Sequence, residues 1–292
     1  IRLGLVGSEM CIRDSFDLTP FSKFEIKSDK AHQELQKICT ANIKKDAGKC
    51  TYTHMLNSDG GIEADLTVVS VNENHFRIIS SAATRERDKH HIKKHLNKDI
   101  ELEDVTDDYC VFGLFGPKSR DLMNSLSNDN FSNENFRFGT AKFISIEDTK
   151  IWTQRLSYVG ELGYELYVEV KDAKKIYELI VNKGKDFNLS NCGMHAMDIM
   201  RMESGFLHWG HDISPEENQY QAGLSFTISN KKNVDFIGKR ALEKIDKKKI
   251  KTRFAMFTLK DSKPGEPLLL HDEPIYLKDQ IIGKSTSGNY SF

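Results

Sequence analysis

Two carboxylates two residues apart, an arginine set among methionines and a pair of histidines are the groups in this chain whose types and spacing could do chemistry. Glu63 and Asp65 fall in Ile62-Glu63-Ala64-Asp65-Leu66-Thr67-Val68, where apolar and polar residues alternate. Alternation of period two marks a half-buried strand, so Glu63, Asp65 and Thr67 share one face, with the two carboxylates roughly 7 Å apart. Such a face is ordinarily solvated. Asp, however, is disfavoured inside strands, and Gly60-Gly61 just before it lets a backbone or ligand come close. Arg201 stands three residues after Asp198 in Met194-His195-Ala196-Met197-Asp198-Ile199-Met200-Arg201-Met202. An Asp–Arg pair at i,i+3 is usually a weak surface bridge, whereas a guanidinium held among apolar neighbours suits a bidentate grip on a carboxylate. His91 and His95 have the i,i+4 spacing of a metal pair. With no third ligand and no HExxH they read as part of a solvated basic face, and no metal site is expected.

The elements that must position these groups can be read from the same periodicities. Tyr52 to Val68 reads as a hairpin turned by Asn57-Ser58-Asp59-Gly60-Gly61, a cluster that supplies positive φ and side-chain turns. The stretch after Pro20 to Ile26, His75 to Ser80 and Asp104 to Leu114 read as strands. Ala31 to Ile38, capped by Asp29, and Ala82 to Leu96 read as helices, as does a segment opened by Gly116-Pro117 and running to about Leu126. Phe138 to Lys142 and Lys150 to Leu156 flank another expected strand pair. Tyr158-Val159-Gly160-Glu161-Leu162-Gly163 is a turn feeding a strand with Tyr164, Leu166 and Val168 on one side and Glu165 and Tyr167 on the other. Asp172 to Gly184 is an amphipathic helix with Gly184 as its cap, and the helix carrying Arg201 stops at Gly205. Trp209 lies in a turn-rich stretch, where stacking on a flat ring and plain packing are both open.

Composition limits the classes. The chain has 292 residues, enough for one large domain or two. Lys and Arg number 42 against 43 Asp and Glu, so global charge gives no reason to expect nucleic acid or a membrane surface. No apolar run approaches the ~20 residues of a membrane span. Five scattered cysteines form no CxxC pair, which suits a reducing compartment, with the cytoplasm as the default. There is no GxGxxG after an early strand, no P-loop and no GxSxG.

Four ordered motifs resemble the glycine-cleavage T-protein (aminomethyltransferase) superfamily from about Phe16 onward. They are Tyr52-Thr-His-Met-Leu-Asn-Ser-Asp-Gly-Gly-Ile-Glu-Ala-Asp-Leu-Thr-Val68, the Tyr158 to Val168 segment, Asp198-Ile-Met-Arg-Met-Glu-Ser-Gly205, and Gln221-Ala-Gly-Leu224 with Phe236-Ile-Gly238. The likeness is nearest to the folate-binding C-terminal half of FAD-dependent dimethylglycine and sarcosine dehydrogenases. It implies an α+β fold of several antiparallel sheets with flanking helices, and the start of a small C-terminal β-barrel. It divides the chain into a leader at 1–15 that reads as non-native, a folate-binding region at 16–245, and the barrel segment at 246–292, whose last strands are expected to lie beyond the chain.

The same resemblance implies roles. Asp65 would be catalytic, and Glu165, Arg201, Tyr158, Met55 and Trp209 would bind tetrahydrofolate. A pterin presents its 2-amino group and N3–H side by side, which matches one ionised carboxylate, and the family pattern places that carboxylate at Glu165 and the folate-contacting arginine at Arg201. The implied function is tetrahydrofolate-dependent one-carbon transfer forming 5,10-methylenetetrahydrofolate. The other partners would be a small N-methyl amine or its iminium, and an upstream flavin domain holding the FAD. Two departures stand out: Ala64-Asp65 where T-proteins carry two aspartates, and Gln221 where a glutamate is common. A free-standing T-protein, a folate-dependent demethylase and a non-catalytic folate-binding module remain alternatives.

Overall fold

In the computed structural model, which describes residues 14–260, 263 and 266–290, the hairpin turn closes as its side chains require. The Asn57 carboxamide oxygen accepts from the N–H groups of Asp59 and Gly61 at 3.0 and 2.9 Å, and Gly60 takes φ +87°. The strands are β1 (Asp14–Asp17), β2 (Ser22–Lys27), β3 (Cys50–Leu56), β4 (Ile62–Asn72), β5 (His75–Ser80), β6 (Glu103–Asp104), β7 (Tyr109–Phe115), β8 (Ala141–Ile146), β9 (Thr149–Gln154), β10 (Gly163–Glu169) and β11 (Ser190–Cys192). Helices α1 (Ala31–Ile38), α2 (Arg85–His95), α3 (Ser119–Leu126), α4 (Val170–Gly184), α5 (Met194–Glu203) and α6 (Lys239–Glu243) flank them.

Two sheets result, ordered β3-β4-β5-β2-β6 and β11-β1-β7-β10-β9-β8. Every pair is antiparallel except β1 with β11. The expected α+β class is the one found.

Strand parity decides what lies between the sheets. On β4, Ala64, Leu66 and Val68 pack into a core with α1 and α2, through Leu35, Ile38 and Ile92. On β10, Tyr164, Leu166 and Val168 do the same against α3 and α4, through Leu122, Met123, Ile176 and Ile180. The opposite faces meet in a third cluster, where Val69 of β4 packs with Val111, Phe115, Trp152, Tyr167, Met197 and Met200. Because side chains alternate, Asp65 and Thr67 share the face of Val69, and Glu165 shares that of Tyr167. Both candidate carboxylates therefore point into the seam between the sheets.

Several expectations shift. Asp14 and Ser15 are paired in β1 with β7 and β11, so the boundary expected after residue 15 falls inside a strand, while residues 1–13 lie outside the described residues. Helix α1 starts after Lys30 without a side-chain cap from Asp29. Gly184 is still helical, and Asn188 takes the left-handed conformation at φ +52°. The stretch from Thr252, patterned as a strand, pairs with no sheet, leaving Met256 and Phe257 exposed. No closed barrel is found among the described residues: β12 (Pro274–Leu277) and β13 (Gln280–Lys284) form only a two-stranded ribbon. Alternation sets a strand's faces but not the partners that close a barrel.

The hairpin is pinned from outside as well. A Cβ on Gly61 would lie 1.7 Å from the Pro215 carbonyl oxygen, and the neighbouring Ile62 N–H donates to Glu217 O at 2.9 Å. Gly61→Ala is expected to push the 215–217 segment away and lower stability by about 1–3 kcal/mol, the usual cost of overpacking, as measured by urea unfolding.

Candidate functional site

Asp65 sits opposite His54 in the β3–β4 ladder. Its Oδ2 accepts from the Tyr52 hydroxyl at 3.1 Å, and its Oδ1 lies 3.7 Å from His54 Nε2. Burial resists ionisation and the nearby Asp88 adds to it, while the Tyr52 hydrogen bond works the other way without reversing it, so the Asp65 carboxyl is pushed up to about 7. Its strand-mate Glu63 is instead paired, with its carboxylate and backbone carbonyl both accepting from Arg87. The two acids that looked alike in sequence therefore differ in state: Glu63 is neutralised by a cation, while Asp65 is half-buried with no cation beside it.

Glu165 repeats the pattern on the facing sheet. It accepts from the Tyr167 hydroxyl at 3.0 Å, and burial pushes its carboxyl up to about 7 as well. Its register partner on β9 is Gln154, which is fully buried with neither amide atom satisfied within the protein. Cross-strand partners project to the same face, so an orphaned carboxamide lies beside an under-bonded carboxylic acid. Native interiors seldom leave such groups unpaired. Burial raises the Cys50 thiol, and the charge of Glu165 adds to it, which places Glu165 near the start of β3. Cys50 and Tyr52, the neighbours of Glu165 and Asp65, are two residues apart on one face of that strand, roughly 7 Å.

Tyr158 connects this region to the α5 helix. Its hydroxyl donates to Leu207 O at 2.8 Å and its ring stacks on Phe206. Burial raises its phenol, countered by the charge of Arg201 and reinforced by Asp65, so it stands between those two groups. Arg201 itself is turned inward. Its Nε donates to Asp198 at 2.7 Å, Nη1 to Asp212 at 2.6 Å and to Phe206 O at 3.1 Å, and Nη2 to Ser287 at 2.7 Å. Asp212 is clamped in turn by the Thr286 and Ser287 hydroxyls and the His208 N–H. Burial would raise the Asp212 carboxyl, but these bonds and the guanidinium hold it below its ordinary value.

Comparison with known proteins follows the same lines. The GCVT N-terminal domain family matches residues 14–232. The chain belongs to the GCVT family. Among relatives, the 4-methylaminobutanoate oxidase (formaldehyde-forming) of Paenarthrobacter nicotinovorans is 36% identical over 94% of this chain and 33% of its own length. The mitochondrial dimethylglycine dehydrogenase of Rattus norvegicus is 34% identical over 94% and 32%. The aminomethyltransferase of Halothermothrix orenii is 31% identical over 94% and 76%. The chain thus spans about a third of the oxidase and the dehydrogenase. In fold it is similar to the glycine cleavage system aminomethyltransferase T from Bartonella henselae, with a TM-score of 0.72 over 83% of this chain and 66% of that one at 21% identity. The resemblance drawn from the four motifs is therefore shown.

Within this GCVT-family fold the expected site residues divide. Asp65, Glu165 and Tyr158 border the seam. Met55 does not: it pairs with Ala64 rather than Asp65 and is fully buried in the core behind the sheet with Phe24 and Leu66. A one-residue step along a strand reverses the face, so the residue beside Asp65 is His54. Trp209 serves packing: its Nε1 donates to Ile62 O at 2.9 Å, and Arg87 covers the ring at 4.3 Å. Arg201 spends four hydrogen bonds inside the protein, which leaves little of its fork for an outside carboxylate. Asp212, Gln154 and His54 were missed in the sequence. Asp212 stands 11 residues from the arginine it neutralises, too far for any helical spacing to show. Asp212→Ala is expected to cost about 3–5 kcal/mol by stranding a buried guanidinium, measured as a loss of unfolding free energy.

Proposed function

We propose that the seam binds tetrahydrofolate and that the chain transfers a one-carbon unit to it. The observation that carries this reading is Glu165 with Gln154: a half-buried, under-bonded carboxyl beside a buried, orphaned amide on one face. The polar edge of a reduced pterin offers adjacent N–H donors for Glu165 and a carbonyl for the Gln154 amide, so the donor set fits. Tetrahydrofolate enters as the acceptor substrate. Asp65, whose partner Tyr52 lies two residues along β3 from Cys50, then lies toward the nitrogens that take up the carbon.

The reaction we propose starts from an N-methylene iminium. Two C–N bonds to the acceptor nitrogens form, the bond to the donor nitrogen breaks, and the two N–H protons leave with the released amine. Asp65 moves one of these protons, and its carboxylate form offsets positive charge at the carbon. A carboxyl held near 7 is matched to that task at neutral pH, because it is populated in both states.

The source of the iminium is proposed from the likeness to dimethylglycine dehydrogenase: an upstream flavin domain of the same polypeptide would oxidise a small N-methyl amine, with FAD bound there and not here. Product would then be 5,10-methylenetetrahydrofolate. A second reading is a free-standing aminomethyltransferase, favoured by the 76% of the Halothermothrix orenii protein that the chain covers. Offering the purified chain an iminium donor and a lipoyl-linked aminomethyl donor separates the two. A reducing compartment such as the cytoplasm fits either reading, since no disulfide joins the four described cysteines; no described helix is long and apolar enough to cross a membrane.

If Glu165 binds as the carboxylate, its proton must leave on binding. Below about 7 the free protein holds that proton, so tetrahydrofolate affinity should fall by up to tenfold per pH unit on the acid side and level off above. Titration calorimetry from pH 5.5 to 8 should show this slope in the native chain and in Asp65→Asn, and should lose it in Glu165→Gln. Asp65→Asn should bind tetrahydrofolate as the native chain does while slowing transfer by about 10²–10⁴-fold, read in a single-turnover assay.

A further inference from the structure

His54 is wholly buried, and its Nε2 has no hydrogen-bond partner. The protonation of its ring can be assigned from the atoms around Nδ1. Thr227 Oγ1 lies 3.0 Å from His54 Nδ1, and the threonine hydroxyl has one proton, which it donates to the Leu224 carbonyl at 2.8 Å. Toward His54 it can therefore only accept, with the Gln219 amide at 3.5 Å on its remaining lone pair. Nδ1 carries the hydrogen. The imidazole is kept neutral by complete burial, which drives it down to about 3, so Nε2 is a bare lone pair.

That lone pair faces Asp65 Oδ1 at 3.7 Å. A lone pair opposed to a carboxylate repels it; opposed to a carboxylic acid it receives a hydrogen bond. No lysine or arginine lies within ion-pair distance of Asp65 among the described residues. The other groups facing the pair are the Tyr52 hydroxyl on β3, which donates to the far oxygen, Tyr158 from the loop before β10, and Asp88 on α2. Arg87 on α2 is committed to Glu63 and to the Trp209 ring.

We propose that His54 is a positioning residue for Asp65, its Nε2 accepting a hydrogen bond from the protonated carboxyl and so keeping the proton at Oδ1 until the reaction takes it. The step makes and breaks no other bond: when the proton leaves, Asp65 becomes a carboxylate and His54 stays neutral. The 3.7 Å gap closes by about 0.9 Å to a formed O–H···N bond, and such contacts are often long in unliganded sites. The catalytic use of this proton rests on the one-carbon reading above; the sharing of the proton does not.

The test uses the full chain without folate, labelled with ¹⁵N in the histidine rings and ¹³C in the aspartate carboxyls. His54 should show a protonated Nδ1 and a bare Nε2 from pH 5 to 8, with the Nε2 signal shifting as Asp65 titrates. In His54→Phe, which keeps a ring but removes the acceptor, the Asp65 midpoint should fall by about one pH unit, and the acid limb of the transfer rate should move with it. A proton found on Nε2, or an Asp65 midpoint that rises or stays in place, overturns the proposal. Should His54→Phe not fold, the ring signals of the native chain decide alone. Loss of tetrahydrofolate binding would sink the proposed function and leave these signals unchanged.

Discussion

A carboxyl group removed from water with no cation beside it keeps its proton to a higher pH than its chemistry alone would set, and this chain imposes that constraint twice, at Asp65 and at Glu165. Both are consequences of strand parity. The residues flanking each acid fill a helix-backed core, so the acid must face the other way, into the seam where Val69, Trp152, Tyr167, Met197 and Met200 pack together. Each acid receives one phenol hydroxyl, from Tyr52 or Tyr167, and no more. One bond is too little to offset burial, and the remaining acceptor capacity is left for a ligand.

The contrast with the paired charges nearby shows that this is selective. Arg87 neutralises Glu63 on the same face of β4 as Asp65. Arg201 and Asp212 form a pair closed by Asp198, Thr286 and Ser287. That second cluster draws the 286–287 strand-end segment onto helix α5 and fixes the loop in which Leu207 anchors Tyr158. The arginine thus acts on the seam through the backbone it organises. Buried pairs of this kind are weak sources of net stability but strict about geometry, which suits a role in holding a loop.

Much of this was legible in the sequence. The hairpin, the two faces of β4 and β10, and the helices α1 and α4 follow from period and turn chemistry, and they alone orient Asp65 and Glu165. Distant pairing was not legible. Nothing local marks Asp212 as the partner of Arg201, Gln154 as the register neighbour of Glu165, or Thr227 as the residue that fixes the His54 ring across 173 positions. Met55 faces the core rather than the seam for a simpler reason: a motif lends its residues together, whereas a strand sends neighbours to opposite sides. The ribbon after residue 274 shows the same limit, since alternation cannot say which strands will close on each other.

The account stands on Glu165 being an uncompensated buried acid that gives up its proton to a pterin. The most direct measurement is the proton balance of tetrahydrofolate binding near pH 6.5, obtained by calorimetry in buffers of different ionisation enthalpy. The account predicts release of a substantial fraction of a proton in the native chain and of none from this site in Glu165→Gln. Binding with no proton release in the native chain, or equal release in both, would contradict it.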